Sequence, residues 1–181
     1  MSKYAVIVVD MLNDFVTGAL KCERGLAIVP KVKALVEGAR AKGVPVIFSN
    51  DEHLEGIDRE FKVWGPHAVM GTEGAKVIPE LQADESRDYI VPKRRYSGFF
   101  QTDLDALLRE LAVDTVIIAG LHANMCCRHT AADAFMLGYE VVVAGDCTDC
   151  FTEEEYLGAI EYFKTVYGAE ITTASELVER F

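Results

Sequence analysis

The chain has 181 residues, 50% of them hydrophobic, and a formal net charge of −11. That is enough apolar material for one domain over residues 1–181, and the acidity argues against nucleic acid or an anionic membrane surface as a partner. No apolar run is long enough to span a membrane, Met1-Ser2-Lys3 leads into a strand rather than a signal peptide, and five cysteines, an odd number, suit a reducing cytosol.

Tyr4–Val9 (YAVIVV) reads as a strand buried on both faces, with Asp10 directly after it. A helix is expected over 28–41, with Pro30 in its first turn and Val32, Leu35, Val36 and Ala39 inward; Gly43 ends it. A second strand covers 44–49. The stretch 50–74 is a long loop rich in charge, glycine and histidine, and loops of that length in compact domains are usually functional. A short helix near 75–81 precedes a third strand at 89–91, which ends on Pro92-Lys93. A helix over 102–111 leads to a fourth strand at Val116, Ile117, Ile118 and Ala119, broken by Gly120. The helix after it opens near Cys126 and Cys127 and closes at Gly138. A fifth strand at 139–144, a helix over 152–167 capped by Thr152 with Glu155, a last strand Glu170–Thr172 and a terminal helix over 175–180 complete the chain.

Strand and helix alternate throughout, which predicts a three-layer α/β/α, doubly wound parallel sheet. Ligands in such sheets bind beyond the carboxyl ends of the strands. Ionisable groups stand at four successive strand ends: Asp10, then Asp51 and His53, then Lys93, then Cys126. A thiol at the first turn of a helix faces unpaired N–H groups and the positive end of the macrodipole, an expectation of thiolate character. A cation lowers a neighbouring thiol pKa, and a carboxylate can accept and return its proton. Asp51 and His53, two residues apart in an extended segment, point the same way. Together with Glu60 and His67 they offer two imidazoles and two carboxylates, a set that suits zinc, iron(II) or manganese.

With these residues in place, the chain resembles the isochorismatase-like cysteine hydrolases, which include nicotinamidases and N-carbamoylsarcosine amidases. The resemblance runs through VVDMLNDFV, WGPH-x-V-x-GTEGA, K-R-x-YS-x-F-x-x-TDL and G-x-x-x-N-x-C-x-x-x-TAADA. It implies a six-stranded sheet of order 3-2-1-4-5-6 and a catalytic triad on Asp10, Lys93 and Cys126. Alignment on Thr130, Ala131 and Asp133 selects Cys126, leaving Cys127 as core packing. It further implies a cis peptide at Leu121–His122 and an oxyanion hole made by the His122 and Cys126 N–H groups. Nicotinamidase metal ligands fall on Asp51, His53 and His67, with Glu60 a fourth in some members. The metal is divalent, zinc first, with iron or manganese as alternatives. A homo-oligomer and a cytoplasmic location complete the expectation. In that strand order Lys93 begins two strands from Asp10, about 10 Å away, so its side chain has to reach inward.

The expected activity is release of ammonia from a small carboxamide or ureido substrate through a thioester. Phe15, Trp64, Tyr96 and Phe99 are candidates to wall the substrate pocket. Arg94 and Arg95 suit either a substrate carboxylate or a solvated or subunit-contact surface, and His129 suits a helix surface. Cys147 and Cys150 have CxxC spacing without a second pair, which reads as structural before redox. His122 and Ala123 stand where the family commonly has a small residue and a threonine. Glu52 replaces an aromatic common in nicotinamidases, which keeps N-carbamoylsarcosine amidase chemistry close behind. The rival readings are a non-catalytic binding domain and a vinyl ether hydrolase that needs no nucleophilic cysteine.

Overall fold

A computed structural model describes residues 3–181; Met1 and Ser2, read above as running straight into the first strand, lie outside them. Six parallel strands form one sheet: β1 (Tyr4–Val9), β2 (Val46–Asp51), β3 (Tyr89–Lys93), β4 (Thr115–Leu121), β5 (Glu140–Asp149) and β6 (Glu170–Thr172). Their order is β3-β2-β1-β4-β5-β6, as the resemblance implied. The helices are α1 (Asn13–Val16), α2 (Glu23–Ala41), α3 (Phe61–Trp64), α4 (Leu104–Glu110), α5 (Arg128–Met136), α6 (Glu153–Tyr167) and α7 (Ala174–Arg180). No helix of the described residues is long and apolar enough to cross a membrane.

Side chains along a strand alternate between faces, and the two cores follow that period. Val6, Val8, Phe48 and Ile117 pack beneath α2 and α7 on one face. Ala5, Ile7, Ile47 and Ile118 pack on the other, against Leu104 and Leu108 of α4, Ala131 and Ala134 of α5, and Phe163 of α6. Three layers result, with the reversal of strand order between β1 and β4. There the carboxyl ends lie side by side, Val9 being in register with both Ser49 and Gly120.

Several boundaries differ from the sequence expectation, each for a local reason. The second helix begins at Glu23, with the Cys22 sulfur accepting the Gly25 N–H at 3.3 Å, so Pro30 lies inside the helix rather than in its first turn. One missing N–H in the interior of a long helix is tolerated because packing of its inner face holds the rest. The expected helix near 75–81 is instead two separate 3₁₀ turns, Glu73–Ala75 and Pro79–Leu81. Pro79 disfavours helical backbone at Ile78, which is extended there. β2 runs on to Asp51, placing that residue in register with Lys93. The fifth strand runs on to Asp149, and its pairing with β4 shifts register between Ile118 and Gly120. Finally, Cys126 lies in a π turn, Ala123–Cys127, that precedes α5.

Gly120 sets how closely β4 approaches β1. Its φ is +103°, and an added Cβ would lie 2.0 Å from the Val9 carbonyl oxygen. Gly120→Ala is therefore expected to lose about 3 kcal/mol, from unfavourable backbone and overpacking together. Urea denaturation reads this as a lowered midpoint; an unchanged midpoint would mean that the two strand ends can separate at no cost.

Candidate active site

β1 ends on Asp10, whose backbone is left-handed (φ 50°), a conformation that aspartate tolerates better than most residues. Its carboxylate is fully buried and accepts two hydrogen bonds: from the Asp51 N–H at 2.7 Å and from Lys93 Nζ at 2.8 Å. Nζ also donates to Asp51 Oδ1 at 2.5 Å. The lysine thus crosses beneath β2 to reach β1, as the strand order required. Cys126 comes in from β4, and its sulfur lies with carboxylate oxygens of Asp10 and Asp51 in a group whose members are all within 4.8 Å of one another. The Leu121–His122 peptide is cis.

Burial opposes the Lys93 cation, but the two carboxylates more than offset it and raise its pKa well above the usual value. Burial also pushes Asp10 up to about 6; Asp51 adds to this and Lys93 opposes it. For Cys126 the expectation of thiolate character is overturned. Burial drives the thiol well above its usual range, the neighbouring carboxylates reinforce that, and Lys93 offsets only part. With Cys126 inside a π turn and almost wholly buried, the resting group is a neutral thiol beside a carboxylate.

The long loop builds a second cluster against the first. The His53 N–H donates to the Ala68 carbonyl (2.8 Å) and the Met70 N–H to the His53 carbonyl (2.9 Å), which brings the His53 and His67 rings to a centroid distance of 4.7 Å. Asp51, His53, Glu60 and His67 are all buried, and each offers one ligand atom within 4.8 Å of the others. This set fits a divalent cation on three grounds. Neither ring nitrogen of His53 has a hydrogen-bond partner, since Asp51 and Asp58 oxygens stand off at 3.5 and 3.4 Å. Nδ1 of His67 is 2.7 Å from the Gly65 carbonyl, which fixes the proton there and leaves Nε2 as a lone pair. Burial, then Asp51, pushes Glu60 up to about 7, as expected where Asp10, Asp51 and Glu60 share a single buried lysine.

A small, narrow cavity opens over both clusters. Phe15, Trp64 and Tyr96 line it as expected, with Trp64 Nε1 donating to the Tyr96 hydroxyl at 3.1 Å. Leu20, Met125 and Phe151 also line it, and sequence reasoning missed all three. Only Phe151 carried a usable signal, standing just past the end of β5 on the catalytic edge of the sheet. Phe99 is not part of the wall; it packs toward Tyr139, at 6.0 Å between ring centroids.

Arg94 and Arg95 both turn to the buried Asp58, Arg94 Nη2 at 2.6 Å and Arg95 Nη1 at 3.3 Å, and neither lines this cavity. Asp58 itself was missed, because a buried aspartate in the run GIDRE looks like any other charge in a polar loop. Cys127 is fully buried, 3.9 Å from the Ala119 carbonyl and 3.7 Å from Thr148 Oγ1. Cys147 and Cys150 are free and buried, and His129 is on the surface of α5 with Nδ1 2.8 Å from the Met125 carbonyl.

A doubly wound sheet with Asp, Lys and Cys converging at its switch point defines an isochorismatase-type hydrolase fold, and the chain belongs to that family: the Isochorismatase domain matches residues 4–176. The N-carbamoylsarcosine amidase of Thermoplasma acidophilum superposes with a TM-score of 0.89 at 37% identity, over 95% of this chain and 96% of that one. The pyrazinamidase of Pyrococcus horikoshii, solved in complex with zinc, gives 0.87 at 33%, over 94% and 99%. A protein of Arabidopsis thaliana described as a probable inactive nicotinamidase is 37% identical over 97% of this chain and 94% of its own length.

Replacing Lys93 by methionine would leave Asp10 and Asp51 buried without their cation. Stability is expected to fall by about 3–5 kcal/mol at neutral pH, read by chemical denaturation; a loss under about 1 kcal/mol would mean that another group neutralises the pair.

Proposed function

We propose that the chain is one isochorismatase-like domain over 1–181 that acts as a cysteine amidohydrolase, releasing ammonia from a small carboxamide or ureido substrate. The observation that carries this reading is the convergence of Asp10, Lys93 and Cys126 beneath a small, largely apolar cavity. The relatives named as amidases support the same class of reaction.

In the proposed cycle Asp10 takes the Cys126 proton as sulfur attacks the amide carbon, so the thiolate forms only as the S–C bond does. Lys93 stays charged beneath the pair and balances the negative charge moving between them. The His122 and Cys126 N–H groups receive the developing oxyanion. Asp10 then gives its proton to the departing nitrogen, the C–N bond breaks, and ammonia leaves a thioester on Cys126. Water attacks that thioester, losing its proton to Asp10, which returns it to the sulfur as the acid departs. A divalent ion held by Asp51, His53, Glu60 and His67, zinc by the pyrazinamidase precedent, would supply a Lewis acid at the cavity floor that anchors and polarises a substrate heteroatom.

The relative described as inactive favours a second reading, a binding domain without turnover. Cys126→Ala separates the two. It is expected to abolish ammonia release in a folded protein while Cys127→Ala keeps it. Loss in the second variant rather than the first would move the nucleophile, release unaffected by either would refute the thioester mechanism, and no release by the unsubstituted protein would leave the binding domain.

For the metal, the expected outcome is one zinc per chain after reconstitution, read by elemental analysis. Stoichiometry should fall below about one tenth in His53→Ala or His67→Ala, since each removes a ligand. Full retention in both variants would place the ion elsewhere.

A further inference from the structure

One polar side chain in the cavity has no use in the cycle above. The His122 ring is only 3% exposed, lines the cavity, and has no hydrogen-bond partner on either nitrogen. Leaving such groups unpaired is costly, so a buried imidazole with two bare nitrogens in the wall of a cavity is a site waiting for a partner. Its faces and edges are fixed by aromatics: Phe151 stacks on it at 4.2 Å and Phe15 meets it edge-on at 6.1 Å. Phe15 also meets the His67 ring edge-on at 5.6 Å, whereas His122 itself is not in the metal-type cluster.

Charge narrows the partner. Burial holds the imidazole down at about 4, so near neutral pH it presents one N–H donor and one bare nitrogen acceptor. No lysine or arginine lines the cavity, whereas Asp51 and Glu60 do. Lys93 is committed to Asp10 and Asp51, and even with a divalent ion in the cluster the charges of Asp10, Asp51, Glu60 and Lys93 together come to zero. A substrate carboxylate entering this cavity would be desolvated with no net positive charge to offset the loss of water.

We propose that the His122 side chain is the specificity-determining residue of this cavity, hydrogen-bonding an uncharged polar group on the substrate, so that the enzyme selects small neutral amides with a second hydrogen-bonding group over amides bearing a carboxylate. This presupposes the amide-hydrolase reading, deepens it, and separates the substrate class from that of an N-carbamoyl amino acid. Hydrogen-bonding sites discriminate strongly because an analogue that lacks the partner leaves the buried group unpaired.

Butyramide, succinamide and succinamate test it, having respectively no second polar group, an uncharged one and an anionic one. The holoenzyme is expected to show kcat/KM for succinamide about tenfold above butyramide and at least tenfold above succinamate. His122→Phe keeps the stacked ring and is expected to erase the advantage of succinamide over butyramide, through KM more than kcat. His122→Gln, with a donor and an acceptor restored, is expected to recover part of it. A variant series in which all three amides fall equally would make His122 purely structural and overturn the proposal, as would a wild-type preference for succinamate. Affinities of the same three amides for Cys126→Ser, with and without His122→Phe, read the same discrimination without turnover. If that pattern holds while wild type releases no ammonia, the hydrolase reading fails and the His122 assignment stands. If none of the amides binds, the His122 assignment fails.

Discussion

The Lys93 ammonium lies out of reach of water between Asp10 and Asp51, and the arrangement of the site depends on it. It lets a carboxylate at the end of β1 and another at the end of β2 be buried side by side. Asp51, pinned by that ammonium, turns toward the histidines of the long loop; Asp10, pinned by the same ammonium and by the Asp51 N–H, turns toward Cys126. One cation therefore links the proposed nucleophile, its base and the cluster suited to a metal. Such burial is expensive in desolvation, and the strands on both sides of β1 hold the geometry that repays it.

That arrangement also changes how the cysteine is to be understood. A thiol beside a lysine at the start of a helix invites the expectation of a resting thiolate. Here burial exceeds the attraction of the lysine, and the neighbouring carboxylates oppose ionisation as well. In the proposed cycle the proton stays on sulfur until an acceptor and an electrophile are both in place. Asp10, lifted to about 6 chiefly by burial, is a base matched to neutral conditions. In the proposed cycle activation is thus tied to substrate entry, which suits a cysteine almost wholly buried in the cavity wall.

Much of this was legible in the residues. Asp10 directly follows a continuous apolar run, Lys93 ends a short strand-like segment and Cys126 comes just after another apolar run, so the alternation of strands and helices was enough to put all three near the carboxyl edge. The strand order and the pairing of Asp51 with His53 came from the family pattern and from period-two geometry. What stayed hidden depends on distance in three dimensions. Asp58 looks like loop charge until Arg94 and Arg95 fold onto it, and Phe151 joins the cavity only because β5 runs five residues beyond its apolar core, to Asp149. The π turn at Ala123–Cys127 has no compositional mark, and the two 3₁₀ turns before β3 reflect a proline whose effect on its neighbour outweighs a helix-like apolar spacing.

The central claim is that amide hydrolysis passes through a thioester on Cys126, and its most direct test is peptide mapping by mass spectrometry after acid quench within the first turnover. The account predicts an acyl group on the peptide carrying Cys126, equal in mass to the substrate less ammonia, that fades as free acid accumulates. Ammonia released over that interval with no such adduct, or with the adduct on Cys127 or another cysteine, would contradict it.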